Sequence, residues 1–279
     1  MERLTHPHHG VHMTTTTTIL GATGKTGRRV AQRLQGTSHT VRAASRTSST
    51  RFDWNDPSTW APVVAGADGL YLVPPDGPGS AIDGFMDVVR ASTVRTLVLL
   101  SARAPAQSGD DYLPEIERRV QLAPLSWTIL RPSWFAQNFD EGFFAPALAE
   151  GILRLPVGAG REPFIDVDDI ADVAAAALTS KGHEGRIYEL SGPETLTFAR
   201  AVEILAEATG RALAFADVTP EAFGNELAGQ GVPADHIALL DRLFAAIRRG
   251  DNDHLSDGVR LALGREPRSF TEYASRVGR

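Results

Sequence analysis

Along the first 132 residues, short apolar and β-branched runs alternate with amphipathic stretches. Strands are predicted at 15–20, 40–45, 50–53, 69–73, 96–101 and 127–131, the fourth stopped by Pro74 and Pro75 and the sixth by Pro132. Between them, helical spacing begins at Arg28, at Asp56-Pro57 with the carboxylate as cap and proline in the first helical position, over about 80–92, and at Pro114. Strands regularly separated by helices give a parallel sheet covered on both faces. Beyond 132 the alternation loosens. Helices are expected at 139–150 and 168–179 around the stretch 152–165, a strand at 186–191, and amphipathic helical segments at 198–209 and 220–249. The pattern therefore predicts an α/β protein: a Rossmann-type doubly wound parallel sheet on 13–132, and a smaller, mostly helical substrate lobe on 133–279 whose chain crosses back to the sheet.

Gly21-Ala-Thr-Gly24-Lys-Thr-Gly27 lies directly between the first strand and the first helix. In that setting the first glycine permits a tight turn, the second lets backbone approach a pyrophosphate, and the third lets helix and strand pack closely, with helix amides facing the anion. Gly21, Thr23, Gly24, Lys25, Thr26 and Gly27 are thus expected to bind a dinucleotide. After the second strand, where an acid would bond the ribose hydroxyls of NAD, stand Arg46, Thr47, Ser48 and Ser49. A guanidinium among hydroxyls suits a 2′-phosphate, so NADP(H) is expected; a solvated arginine at a strand end is the other reading. Asp53, beside Trp54, reads either as an acceptor for the adenine amine or as a turn former next to the Asp56 cap. Val73, Pro74, Ser101 and Ala102 end strands along the edge at which such a sheet holds its ligand.

The 279 residues carry a net charge of −6 and no cysteine. No basic face is available for nucleic acid, and disulfide, thiol and thiolate-metal chemistry are excluded. No apolar run approaches the ~20 residues that span a bilayer, and no basic flank precedes an apolar export segment, so a cytoplasmic protein with no membrane partner is expected. The histidines at 6, 8, 9 and 12 have no periodicity; residues 1–12 read as a disordered leader, with Met13 as an alternative start.

A short-chain dehydrogenase ordinarily pairs a tyrosine with a lysine four residues on, the lysine depressing the phenol pKa. Here the lysines are Lys25 and Lys181, and neither has that spacing from Tyr71, Tyr112, Tyr188 or Tyr273. Ser101 stands where an orienting serine is expected and Tyr112 follows at loop distance; these are the catalytic candidates. Without a lysine, Tyr112 would keep a pKa near about 10, and it reads equally well as packing on the helix opened by Pro114. Such a site suits small-molecule acceptors that are already electrophilic, for which orientation and a dry cleft suffice.

The motifs 21–27, 130–138 (Leu-Arg-Pro-Ser-Trp-Phe-Ala-Gln-Asn), 164–171, 188–196 and 263–270 together give a chain that resembles the NmrA-like branch of atypical short-chain dehydrogenases, most of all the clavine dehydrogenases of ergot-alkaloid biosynthesis, and more loosely quinone and triphenylmethane reductases. The resemblance implies phosphate binding by 23–26, a 2′-phosphate role for Arg46 and a cleft wall from Pro132 to Asn138. Trp134 and Phe135 would then lie near the nicotinamide, and Trp134, Asn138 and Phe139 would face the substrate, unless the aromatics only seal the lobes together. Phenolic reductases of the branch carry a lysine where Leu113 and Glu115 stand here, so their lysine-assisted mechanism is not implied. Asp166, Asp168 and Asp169 read as a capped helix start at Asp168 rather than a metal site, and no metal is expected. The expectation is an NADPH-dependent reductase of an iminium, quinone or conjugated carbonyl, with a nucleotide-sensing regulator and a redox-neutral isomerase or cyclase as alternatives.

Overall fold

Thr17 to Leu20 are all buried, and so is every residue of the strand Gly69–Leu72, as happens when both faces of a sheet are covered. The computed structural model describes residues 15–75, 81–103 and 112–278; the proposed leader and Met13 lie outside them. Its main sheet contains β1 (Thr15–Leu20), β2 (His39–Ser45), β3 (Thr50–Arg51), β4 (Gly69–Leu72), β5 (Thr96–Leu100) and β6 (Ser126–Pro132). The chain then leaves through β7 (Ile152–Leu155) and β8 (Arg161–Glu162) and returns as β9 (Arg186–Leu190). All seven strands of the sheet are parallel, in the order β3-β2-β1-β4-β5-β6-β9. The doubly wound α/β expectation holds, with the order reversing between β1 and β4.

On one face lie α2 (Trp60–Val64), α3 (Ala81–Arg90) and α4 (Tyr112–Gln121), over a core built wholly from residues before 132, among them Phe52, Trp60, Phe85 and Ile129. The other face is covered by α1 (Lys25–Leu34) and, from the second half of the chain, by α6 (Val167–Thr179), which follows α5 (Ala145–Ala149). The lobe holds α7 (Phe198–Thr209), α8 (Pro220–Gly229), α9 (Ala234–Arg249) and α11 (Phe270–Ala274) around a phenylalanine-rich core, while α10 (Gly258–Leu263) returns to the sheet beside β9.

The differences from the expected elements have local causes. The stretch 139–150 is not one helix: a 3₁₀ turn at Ala136–Asn138 is followed by a bend through Gly142, and α5 starts only where Pro146 can occupy the first helical turn. The segment 220–249 is broken at 230–233, because Pro233 lacks an amide hydrogen and holds the chain extended ahead of α9. The lobe is less purely helical than expected, since β7 pairs with β11 (Ala214–Asp217) and β8 with β10 (Leu196–Thr197). The helix after Asp166 begins at Val167, so its cap is Asp166 and not Asp168. Among the described residues no helix is long and apolar enough to cross a membrane.

Candidate cofactor and substrate site

α1 begins at Lys25, three residues before the predicted start, so half of the glycine turn is helix. Gly24 caps it without a side-chain hydrogen bond, and no acid stands in its first turn; the first amides of the helix have no side chain of the cap across them. Gly21 has φ +62, and its carbonyl accepts the Gly24 amide at 2.8 Å. A Cβ on Gly27 would lie 2.3 Å from that same carbonyl oxygen. A Cβ on Gly21 would touch Val73 at 3.5 Å, so the ends of β1 and β4 meet at the point where strand order reverses.

Beyond the next strand, the Ser45 hydroxyl accepts the amides of Thr47 at 3.2 Å and Ser48 at 3.0 Å, folding the hydroxyl-rich turn inward. Arg46 is exposed on that turn and has no partner among the described residues. Asp53 closes its own turn, one carboxylate oxygen accepting the Asn55 amide at 3.0 Å while its backbone carbonyl accepts Trp60 Nε1 at 3.0 Å. Trp54 meets Phe52 and Phe85 edge-on at 4.9 and 5.0 Å.

Both catalytic candidates donate to the protein. Ser101 Oγ gives a 2.5 Å hydrogen bond to Oε1 of Glu117, a buried carboxylate that Arg131 Nη2 grips at 2.5 Å from the other side. Glu117 was invisible to sequence reasoning; a charged position in an amphipathic helix gives no sign that it turns inward. The Tyr112 hydroxyl donates to the Pro75 carbonyl, fastening the first turn of α4 to the loop after β4. The Arg103 amide donates to the Pro132 carbonyl at 2.9 Å and Ser133 to Leu190 at 2.9 Å, so the chain beyond β5 and β6 stays in register with β9.

Lys25 and Asn138, expected to serve different ligands, form one pair, Nζ donating to Oδ1 at 2.9 Å. Burial pushes the Lys25 ammonium below its ordinary pKa. A Cβ at Gly142 would sit 2.6 Å from that ammonium, and Glu141 next to it pairs with both Arg28 and Arg29 of α1. Trp134 and Phe135 point apart: Trp134 stacks on Phe144 and Phe244 in the lobe, whereas Phe135 packs against the core beneath the sheet. Phe139, expected to face a substrate, is only 1% exposed and surrounded by Phe144, Phe164, Phe198 and Phe270, so it belongs to the lobe core. Asp166 pairs with Arg276, Asp168 with Arg33, and the fully buried Asp169 with Arg265 and Arg268; among the described residues no acid or histidine cluster could hold a metal ion.

No family model matches the chain. The uncharacterized oxidoreductase YesF of Bacillus subtilis (strain 168) is 31% identical over 92% of this chain and 93% of its own. Agroclavine dehydrogenase of Claviceps fusiformis is 30% identical over 92% of this chain and 95% of its own. The chain belongs to the NmrA-like family of atypical short-chain dehydrogenases/reductases. With relatives that include a named oxidoreductase, a dehydrogenase and, at 28% identity, the NAD(P)H azoreductase of Xenophilus azovorans, it is an NAD(P)H-dependent oxidoreductase. The NADPH-dependent quinone oxidoreductase of Escherichia coli, solved with NADPH, has a TM-score of 0.80 at 21% identity, over 94% of this chain and 100% of its own, and shares the family fold.

Proposed function

We propose that this protein is an NADPH-dependent reductase of a small, largely apolar acceptor that is already electrophilic: an iminium ion, a quinone or a conjugated carbonyl. The observation that carries this reading is the turn at the reversal of strand order, with no side-chain cap on α1 and, beyond it, Arg46 without a partner among the described residues. The residues fit the group: the first turn of α1 carries no acid of its own, and the nearby Glu141 is already paired with Arg28 and Arg29. Gly21, Thr23, Gly24, Lys25, Thr26 and Gly27 would hold the pyrophosphate and Arg46 the 2′-phosphate. Asp53 and Trp54 would border the adenine. Val73, Pro74, Ser101, Ala102, Pro132 and Phe135 would wall the nicotinamide, with Trp134 and Asn138 toward the substrate. When bound, the nicotinamide supplies the hydride.

The acceptor class follows from what the chain's hydroxyls do. Ser101 donates to Glu117 and Tyr112 to Pro75, which makes them positioning groups for the cleft floor. Acceptors that need no proton donor during hydride transfer are therefore favoured, and unactivated ketones should be poor substrates. The similarity to agroclavine dehydrogenase supports a role with intermediates of secondary metabolism.

Calorimetry with NADPH and NADH is the first test. Wild type should prefer NADPH, and Arg46→Ala should weaken NADPH about tenfold while leaving NADH alone, as expected for one charged hydrogen-bonding partner. Equal affinities, unchanged in the variant, would overturn the cofactor assignment. Anaerobic stopped-flow with iminium and quinone panels should then show loss of NADPH absorbance; no turnover with any acceptor removes the redox claim.

A further inference from the structure

Among the described residues, four of the five buried side-chain polar atoms without a hydrogen-bond partner belong to three residues: Arg103 Nε and Nη2, Glu162 Oε2, and Asn252 Oδ1. They are contiguous. Arg103 Nη1 donates to the His254 carbonyl at 2.7 Å, His254 closes a turn on Asn252, and Asn252 Nδ2 reaches Glu162 Oε1 at 3.3 Å. Arg103 and Glu162 feel one another's charge. Both are buried, Glu162 completely. The other charged groups facing the set are Glu189, 3.9 Å from Arg103 Nε, and Asp253, which lies 3.6 Å from Arg161. Arg103 stands two residues past Ser101, bonded to the end of β6, and Glu189 is near the end of β9; the set therefore caps the carboxyl edge of the sheet on the side away from the glycine turn. In a doubly wound sheet that edge faces the ligand.

We propose that Arg103, Glu162 and Asn252 bind the polar end of the acceptor, and that this end is a neutral carbonyl carrying an adjacent N–H or O–H, such as a carboxamide or hydroxy-carbonyl. The class follows from the unmatched atoms. Nε and Nη2 form the side edge of a guanidinium, a two-donor fork that takes a carbonyl oxygen. Once Glu162 has released its proton, Glu162 Oε2 and Asn252 Oδ1 are both acceptors and require donors in return. A carboxylate would satisfy the fork but meet two acceptor oxygens, and an ammonium would satisfy the oxygens but meet a guanidinium. A primary carboxamide, whose carbonyl oxygen takes the fork and whose two N–H groups meet the two acceptor oxygens, leaves none of the four atoms unmatched; a hydroxy-carbonyl, with one O–H, makes the two oxygens share a donor. The proposal rests on the reductase reading for the identity of the ligand as acceptor, but the binding site itself is testable without turnover.

The experiment is a ligand-observed NMR titration of the full chain at pH 8, saturated with NADP⁺, using 2-naphthamide and 2-methylnaphthalene as a non-reducible pair. Wild type should prefer the amide. Arg103→Met should reduce that preference about tenfold, the effect of removing a charged hydrogen-bonding partner. Arg103→Lys, which keeps the charge and loses the fork, should reduce it too, and decides the matter if the methionine variant fails to fold. A preference unchanged in a folded variant, or absent in wild type, overturns the site and leaves ordered water as its content. NADPH oxidation by wild type with iminium, quinone and conjugated-carbonyl panels is measured in parallel. Amide preference without turnover of any acceptor would sink the reductase reading alone; turnover without amide preference would sink this site alone.

Discussion

A methyl group on Gly27 would strike backbone and not a movable side chain, because the Gly21 carbonyl lies 2.3 Å from where it would sit. At Gly24 the same carbonyl is 3.2 Å away and the backbone is ordinary. The two glycines should therefore separate folding from binding. Gly27→Ala is expected to cost about 2–3 kcal/mol, like other forced overpacking. Gly24→Ala should cost less than about 1 kcal/mol yet weaken NADPH, since its side chain stands where backbone must approach the phosphates. Urea denaturation and calorimetry on both variants read the difference. The close packing at Gly27 was legible because a strand-turn-helix frame gives its last glycine that steric task. The pairings of Lys25 with Asn138 and of Ser101 with Glu117 were not: they join residues 113 and 16 positions apart, and no local periodicity records a long-range partner.

At the scale of elements, the helix caps differ in how much else they hold. Thr197 caps α7 at an exposed end, accepting only the Arg200 amide at 3.1 Å. Asp166 caps α6 while buried, accepting the Asp168 amide at 2.9 Å and Gln137 Nε2 at 2.8 Å and pairing with Arg276. Thr197→Ala is expected to cost about 1 kcal/mol. Asp166→Ala should cost about 3 kcal/mol, because it also leaves partners unmatched in a buried setting. Thermal melts of the two variants provide the comparison. Strands β1, β2 and β4 to β6 could be read from their apolar and β-branched runs, β4 and β6 ending at prolines, and α7 was bounded correctly at both ends. α11 was missed although Ser269 and Glu272 form a capping box, because its five residues are too few for periodicity to register.

For the whole molecule, the buried Glu162 sets a pH dependence. Burial raises its pKa from 4.5 to about 7, against the opposing pull of Asn252 and Arg103 and with a small push from Asp253. Between those values the unfolded chain has released this proton and the folded chain still holds it, so stability falls as pH rises. The difference amounts to about 3 kcal/mol, fully lost once pH passes the folded value. Glu162→Gln cannot ionise. Its stability relative to wild type should therefore improve by about 3 kcal/mol between pH 4 and pH 8, measured by denaturant titration; a constant difference would show that Glu162 ionises normally.

The parallel return of β9 has one more consequence. One face of the sheet is sealed by side chains encoded before residue 132, but the opposite face draws Ile165, Val167, Ile170, Val173, Tyr188 and Val259 from the remainder of the chain. A fragment cut at the apparent border would bare half its interior and offer the unpaired edge of β6 to any passing strand. The nucleotide half is thus no detachable module: ribosomal synthesis must carry it, unfinished and sticky, until the residues near 260 emerge to close it.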